Sequence, residues 1–416
     1  MRKRFLLPAA LAFMIAAAVP AGASAADYVP GQVLVKYKDA SASKKVDIHD
    51  GATVKQAVSD LRENPDVSYA VPNYIAHASG GPLFPNDPGF GMQWNLNGPF
   101  SINMPEAWGI ARSKHAPGGR GATVAVLDTG VAYRTFKHRY KRAPDLSGFL
   151  PGRDYVDHDH YPFDLNGHGT FVAGTIAQTT NNGIGAAGIA YRAKIMPLRV
   201  LDAEGAGDTA AIAKAIRYAG TKKVDVINLS LEFDSSVRAS QIPDIVSAVR
   251  YARRRGSLVI AAAGNQADAV VAYPGRAPGV MAVAATTFDG CEADYSNAGT
   301  AVDVSAPGGG VDAPNADNPW DAQHCRPDER GHYVYQQTFT HGIRSFGLPG
   351  GYEGTSMSAP HVSGIAALLI ATRRLGKHPS PRALEERIES TSRDIGPPGF
   401  DTRYGHGLVD AAAALR

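Results

Sequence analysis

Apolar and polar positions follow two different periods along this chain of 416 residues. Near the N-terminus, VPGQVLVKYK alternates as a strand does. TVKQAVSDLRENP then sets Val54, Ala57, Val58 and Leu61 at helical spacing, with Pro65 past the predicted end. VSYAVPNYIAHA reads as another extended piece. Such a unit is too small to bury much core alone. The Gly- and Pro-rich stretch ASGGPLFPNDPGF that follows reads as a linker.

From about Phe90 the pattern changes. ATVAVLDTGV, AKIMPLRVL, VDVINLSL, SLVIAAAGN, VMAVAATT and AVDVSAPG are short apolar runs that predict strands without a polar face. GHGTFVAGTIAQ, AAIAKAIRYAGTK and IPDIVSAVRYARRRG between them predict helices. The alternation implies an α/β fold, a doubly wound parallel sheet covered on both sides, preceded by a small α+β unit. No internal repeat is visible. Residues 308–350 have little periodicity and many Asp, Pro and Gly, and read as a long surface insertion.

Arg2, Lys3 and Arg4 precede an apolar run from Phe5 to Val19, and Ala23-Ser24-Ala25 offers small residues for cleavage. This predicts a secretory signal peptide over residues 1–25. A membrane anchor is the alternative, but the run is short for a span. The formal net charge of +3 falls to zero without those three basic residues. Charges read as mixed along the chain, so neither a nucleic-acid nor a membrane partner is expected. The expected product is an exported monomer, extracellular or periplasmic. Cys291 and Cys325 are the two cysteines. In an exported chain they are expected to form a disulfide, with two free thiols as the alternative.

Candidate chemistry lies at three predicted strand and helix ends. Asp128 ends the VAVLD strand, His168 opens the HGTFVAG helix, and Ser356 opens the helix after GT. Singly these are ordinary turn, surface and capping residues. Together they define a mechanism: an imidazole takes the proton of a serine hydroxyl, and a carboxylate holds the imidazole in the right tautomer. Gly130, Gly167, Gly169 and Gly354 would let the segments approach closely. The nucleophile-elbow pattern of α/β-hydrolases is absent, and their chain order differs. Pro360 is expected within or just past the first helical turn, where no intrahelical bond is lost.

LDTG, NGHGTFVAGTIA, AAAGN and GTSMSAPHVSG resemble the four signature segments of subtilisin-like serine proteases. The likeness runs from about Asn86 to Leu415 and includes YPG at Tyr273, DVSAPG at Asp303 and the closing YGHGLVDAAAAL. It implies a subtilisin-like fold over 81–416 and an endopeptidase of broad specificity acting on proteins or peptides. Asp128 would orient, His168 would act as base then acid, and Ser356 would form an acyl-enzyme. Asn265 and the Ser356 N–H would stabilise the oxyanion. Gly205, Ala206 and Gly207 resemble the segment that pairs with substrate backbone. Ser230 and Leu231 match the other side of that substrate strand, Ala262, Ala263 and Gly264 match a wall of the primary pocket, and Glu232 falls beside the pocket. Two positions depart from the family: Phe171 stands where many relatives have a second His, and SLEF replaces SLGG, so Glu232 and Phe233 occupy glycine positions. A narrower processing protease preferring basic residues, and an inactive binding relative, are the alternatives. The second would need a lost triad member, and none is missing.

Residues 26–80 resemble the family's inhibitory prodomain, shortened after Lys38, which implies an intramolecular inhibitor. Thermitase-like members suggest a structural calcium ion held by the side chains of Asp87, Asp145 and Asn182 and by the carbonyls of Thr179, Ile184 and Ala186. HDHYPFD, from His158, fits no standard metal spacing and reads as a solvated loop.

Overall fold

The computed structural model describes residues 28–48, 53–74 and 81–416. The expected signal peptide, and residues 26–27, 49–52 and 75–80 of the expected prodomain, lie outside them. The chain divides into two units, one ending at Ala76 and the other running His77–Arg416.

In the first unit, β1 (Tyr28–Tyr37) pairs antiparallel with both β2 (Lys44–Asp47) and β3 (Val67–Tyr74). Helix α1 (Val54–Glu63) is capped by Thr53, whose hydroxyl accepts the Gln56 N–H. Its Val54 and Val58 meet Val33, Val35 and Ala70 of the sheet. That is a small core, as the length of the segment dictates.

The second unit holds α2 (Met104–Ser113), β4 (Thr123–Asp128), β5 (Arg153–Asp154), α3 (His168–Ala177), β6 (Lys194–Arg199), α4 (Thr209–Thr221), β7 (Val226–Leu229), α5 (Pro243–Arg254), β8 (Leu258–Ala262), β9 (Met281–Thr286) and β10 (Val304–Pro307). These strands form one parallel sheet in the order β10-β9-β8-β7-β4-β6-β5. Alternate residues of β4 enter opposite layers. Val124 and Val126 join the core under α2 and α3, while Ala125 and Leu127 join the core under α4 and α5. Burial on both faces explains why the strands lack a polar stripe. The chain adds β5 and β6 to one side of β4 and β7–β10 to the other, so the sheet reverses direction at β4. Doubly wound sheets form their sites outside the strand ends at such a reversal.

Residues 308–350 contain α6 (Pro319–His324) and a short pair, β11 (Thr338–Phe339) with β12 (Phe346–Gly347). The expectation of a surface insertion holds for only part of this segment. Val334, Gln336, Gln337 and Thr338 are buried, and the side chains of Gln336 and Thr338 find backbone partners inside. Gln336 Nε2 donates to Ala187 O at 3.0 Å, and Thr338 Oγ1 donates to Gly167 O at 2.5 Å. The segment is also tied down by the Cys291–Cys325 disulfide, with Cα atoms 5.6 Å apart. Arg403 pairs with Asp317 and Asp321, and Tyr404 donates to Asp321.

Three helices complete the fold: α7 (Thr355–Thr372), α8 (Pro381–Thr391) and α9 (Ala411–Leu415). Helix α7 is buried on every side from Met357 to Leu369. It packs against β7–β10 and α3, which explains why its sequence has no charged face.

Candidate active site

Asp128 is the last residue of β4 and is fully buried. His168 is the first residue of α3, and its side chain is 24% exposed. His168 Nδ1 donates to Asp128 Oδ1 at 2.7 Å, and the Thr129 N–H donates to the same oxygen at 2.7 Å. The close approach depends on Gly169, because a Cβ there would lie 2.1 Å from Gly130 O. Burial pushes the His168 pKa down, but the charge and hydrogen bond of Asp128, helped by Asp164, more than offset this. The net shift is upward from 6.5.

Asp164 is a carboxylate that the sequence reading did not single out. It is buried below α3 and accepts from the Asn166, Gly167 and Thr170 N–H groups and from the Thr129 and Thr170 hydroxyls. It therefore ties the start of α3 to the turn after β4. The FD of HDHYPFD is thus interior: Pro162, Phe163 and Asp164 are buried, while His158–His160 are exposed as expected.

Ser356 is the second residue of α7, after the Gly354 cap. Its N–H has no acceptor among the described residues, as expected in a first helical turn. Its Oγ donates to Ser230 O at 3.3 Å in this rotamer. Pro360 is the sixth residue of the helix, deeper than the sequence reading placed it. It leaves Ser356 C=O without the usual partner four residues on. Ser230 Oγ supplies the missing bond to that carbonyl at 2.8 Å. A buried polar chain continues from Ser230 through Asn228 to Ser363 on the next turns of α7.

Asn265 follows β8 and faces the start of α7. Its Oδ1 accepts from the Thr355 N–H at 2.8 Å and from Thr355 Oγ1 at 2.9 Å. Two donors on the oxygen fix the amide flip, so Nδ2 is the donor end of the side chain, shared with the neighbouring Glu232 carboxylate. Phe171 at the departing position is fully buried and stacks on Tyr352 at 4.4 Å. An aromatic partner thus accounts for that substitution.

Of the expected substrate-binding residues, Gly205, Ala206 and Gly207 are exposed. Ser230 and Leu231 are buried beside Ser356, and Ala262, Ala263 and Gly264 form a buried run at the end of β8. Glu232 reaches from the first wall to the second. Its Oε2 accepts the Asn265 N–H at 2.6 Å. Gly264 makes room for it: φ is +118°, and a Cβ would meet Glu232 Oε2 at 2.9 Å and Asn297 Nδ2 at 2.3 Å. Burial raises the Glu232 pKa from 4.5, partly opposed by hydrogen bonds from Asn265.

The residues expected to hold calcium also converge. Asp87 accepts the Asn181 and Asn182 N–H groups at 2.6 and 3.0 Å. Asp145 accepts from Asn182 Nδ2 at 2.6 Å and from Gln178 Nε2 at 2.9 Å. Burial pushes the Asp145 pKa up to about 6 and raises that of Asp87. The carbonyls of Thr179, Ile184 and Ala186 accept no hydrogen bond among the described residues, whereas those of Gly185 and Ala187 between and beside them do. Gln178 Oε1 is buried without a partner. Free carbonyls around two costly buried carboxylates fit a hard cation, and half a turn of the Asn182 amide would present its Oδ1.

Residues 119–407 match the family model for the subtilase family, and residues 15–50 match that for the fervidolysin N-terminal prodomain. The chain is 35% identical over 406 residues to a thermophilic serine proteinase of Bacillus sp. strain AK1, covering 91% of this chain and 86% of that protein. It is 36% identical over 333 residues to thermitase of Thermoactinomyces vulgaris, covering 80% of this chain and 99% of thermitase. A solved protease structure from Pseudoalteromonas arctica superposes with a TM-score of 0.64 at 33% identity, covering 80% of this chain and 98% of that one. With this likeness across the sheet and both walls of the cleft, the chain belongs to the subtilase family and is a serine endopeptidase.

Proposed function

We propose that this is a secreted endopeptidase of broad specificity, made with a signal peptide and an inhibitory prodomain, that cleaves peptide bonds through Asp128, His168 and Ser356. The observation that carries the reading is the 2.7 Å bond from His168 Nδ1 to Asp128 Oδ1. It leaves Nε2 as the basic nitrogen. Ser356 Oγ turns about χ1 from Ser230 O toward Nε2, gives up its proton and attacks the scissile carbonyl. The oxyanion meets the Ser356 N–H and Asn265 Nδ2, two donors held at the start of α7 and just past the end of β8. His168 then protonates the leaving amine, and water repeats the sequence on the acyl-enzyme. Asp128 stays hydrogen-bonded to Nδ1 and steadies the imidazolium.

Substrate backbone pairs alongside Gly205–Gly207, and the side chain before the scissile bond enters between the Ser230–Glu232 and Ala262–Gly264 walls. Calcium, where bound at Asp87, Asp145 and Asn182, supplies charge compensation and takes no part in the chemistry. The prodomain reading is supported by the family-model match at residues 15–50, and secretion by the charged-then-apolar N-terminus. Preference for basic side chains is a second reading, favoured by one observation: the Glu232 carboxylate lies between the pocket walls.

Ser356→Ala tests the proposal. Hydrolysis of casein and of peptides should fall to the residual level left by transition-state binding alone. The variant should also keep its N-terminal segment if maturation is self-catalysed. Retained hydrolysis at wild-type rate would remove Ser356 from the mechanism.

A further inference from the structure

Ten residues after the turn that follows β4 read YRTFKHRYKR, from Tyr133 to Arg142. They break the evenly mixed charge read from the sequence. Arg134, Lys137, Arg139, Lys141 and Arg142 occur with no carboxylate among them. The structure folds them into a tight hairpin. Phe136 and Tyr140 exchange backbone hydrogen bonds of 3.1 Å across a tip of Lys137, His138 and Arg139. Both aromatic rings turn toward the body. Phe136 stacks on Tyr161 at 5.1 Å, and Tyr140 stacks on Phe163 at 3.9 Å.

With the rings inward, all five cations are exposed. Among the described residues, none pairs with a carboxylate. Arg134 and Lys137 lie over the Phe136 ring and Arg139 over the Tyr140 ring. Arg142 Nε donates to Leu146 O. The carboxylate of Asp159, in the adjoining loop, accepts the Tyr161 N–H. A run of like charges normally repels itself into a mobile, solvated segment. Here stacking holds the run on a fixed ledge next to the reaction centre. Phe163 is five residues from His168, and at about 3.5 Å per residue the stack lies within about 18 Å of it.

We propose that this hairpin is an exosite that captures acidic segments of protein substrates. The proposal rests on the endopeptidase reading and adds a substrate class to it. Two physical arguments support it. Backbone pairing in the cleft reads little side-chain identity, so selection among substrates needs a second surface. Segments rich in Asp and Glu also resist folding, so they present the extended chain that strand addition requires. Capture at the ledge raises the local concentration of a neighbouring scissile bond in the cleft. Several exposed charge pairs acting together make the effect sensitive to salt.

The test uses the mature enzyme and two fluorogenic peptide sets with one cleavable core. One set carries a flexible linker and an Asp/Glu tail on either side of the core, and the other carries a Gln/Ser tail. Wild type is compared with the combined variant Arg134→Ser, Lys137→Ser, Arg139→Ser and Lys141→Ser, which keeps Phe136 and Tyr140. At low salt, wild type should favour an acidic tail by roughly tenfold in kcat/KM, expressed in KM. That advantage should vanish in the variant and near 1 M salt, with the neutral-tail rate unchanged. An equal advantage in both enzymes, or none in wild type at low salt, overturns the proposal. So does hairpin-dependent binding to phosphatidylglycerol vesicles without any tail effect, which would make the ledge a surface-binding patch. Cleavage of the neutral peptide by both enzymes separates failure of the exosite from failure of the endopeptidase reading.

Discussion

Glu232→Gln isolates one charge at the primary pocket. The amide keeps an oxygen to accept the Asn265 N–H, now held by the carboxylate at 2.6 Å, so the wall stays in place while the charge is lost. A Lys ammonium about 4 Å from this carboxylate gains about 1 kcal/mol in a water-like medium and about 4 kcal/mol at an effective dielectric of about 20. Glu232 is half-buried, so a gain near the lower figure, about tenfold in kcat/KM, is expected. The assay is kcat/KM on matched peptides with Lys, Phe or Leu before the scissile bond, for both enzymes. The Lys-to-Phe ratio should fall about tenfold in the variant, and salt should lower it in wild type only. Acid provides a second check. Burial holds the Glu232 pKa above 4.5, so the preference should fade on acidification at a higher pH than an ordinary carboxylate would give. An identical ratio in the two enzymes would refute the argument and leave Glu232 as a wall residue without a role in selection.

Calcium should raise the melting temperature by mass action, and its effect should depend on pH. Asp145 has its pKa raised to about 6, so without a cation its favourable protonated form is fully present below the unfolded value of about 4. Stability is lost as pH rises through about 6. The calcium-induced shift, read by calorimetry with and without chelator, should therefore be small at about pH 4.5 and large at about pH 7.5. Asp145→Asn should abolish it, and a shift independent of pH would count against the site. Ser230→Ala should cost about 1–3 kcal/mol by leaving Ser356 C=O unbonded. Pro360→Ala should restore part of that loss, since the new N–H can bond the same carbonyl. Additive losses in a denaturation cycle would contradict the pairing.

Much of this was legible along the chain. Runs such as VAVLD and VINLSL read as strands buried on both faces, because their apolar residues fall on successive positions and leave no polar face. Asp128, His168 and Ser356 could be found because glycines and helix starts surround them. Other features were not legible, because they join residues far apart in sequence that only packing brings together. Asp164 lies in a stretch whose pattern is that of a loop, yet folding closes five donors around it. Residues 334–338 looked like surface because they are polar, yet Gln336 and Thr338 find interior carbonyls. The pattern predicts none of helices α2, α6, α8 and α9.

Pro360 draws the line between the two kinds of information. The sequence alone determined that a proline near the start of an apolar helix would disturb its backbone bonding, since the ring carries no N–H. Only the tertiary structure decided which carbonyl was freed and that Ser230, just past the end of β7, would bond it. Glu232 divides in the same way. The sequence put a carboxylate where relatives have glycine. Whether it met solvent or the opposite wall depended on the space left at Gly264 and on the Asn265 N–H. Local covalent geometry and burial period act within a few residues, and so are written in the order of the chain. Side-chain partners are fixed by proximity in space, which the order of the chain does not contain.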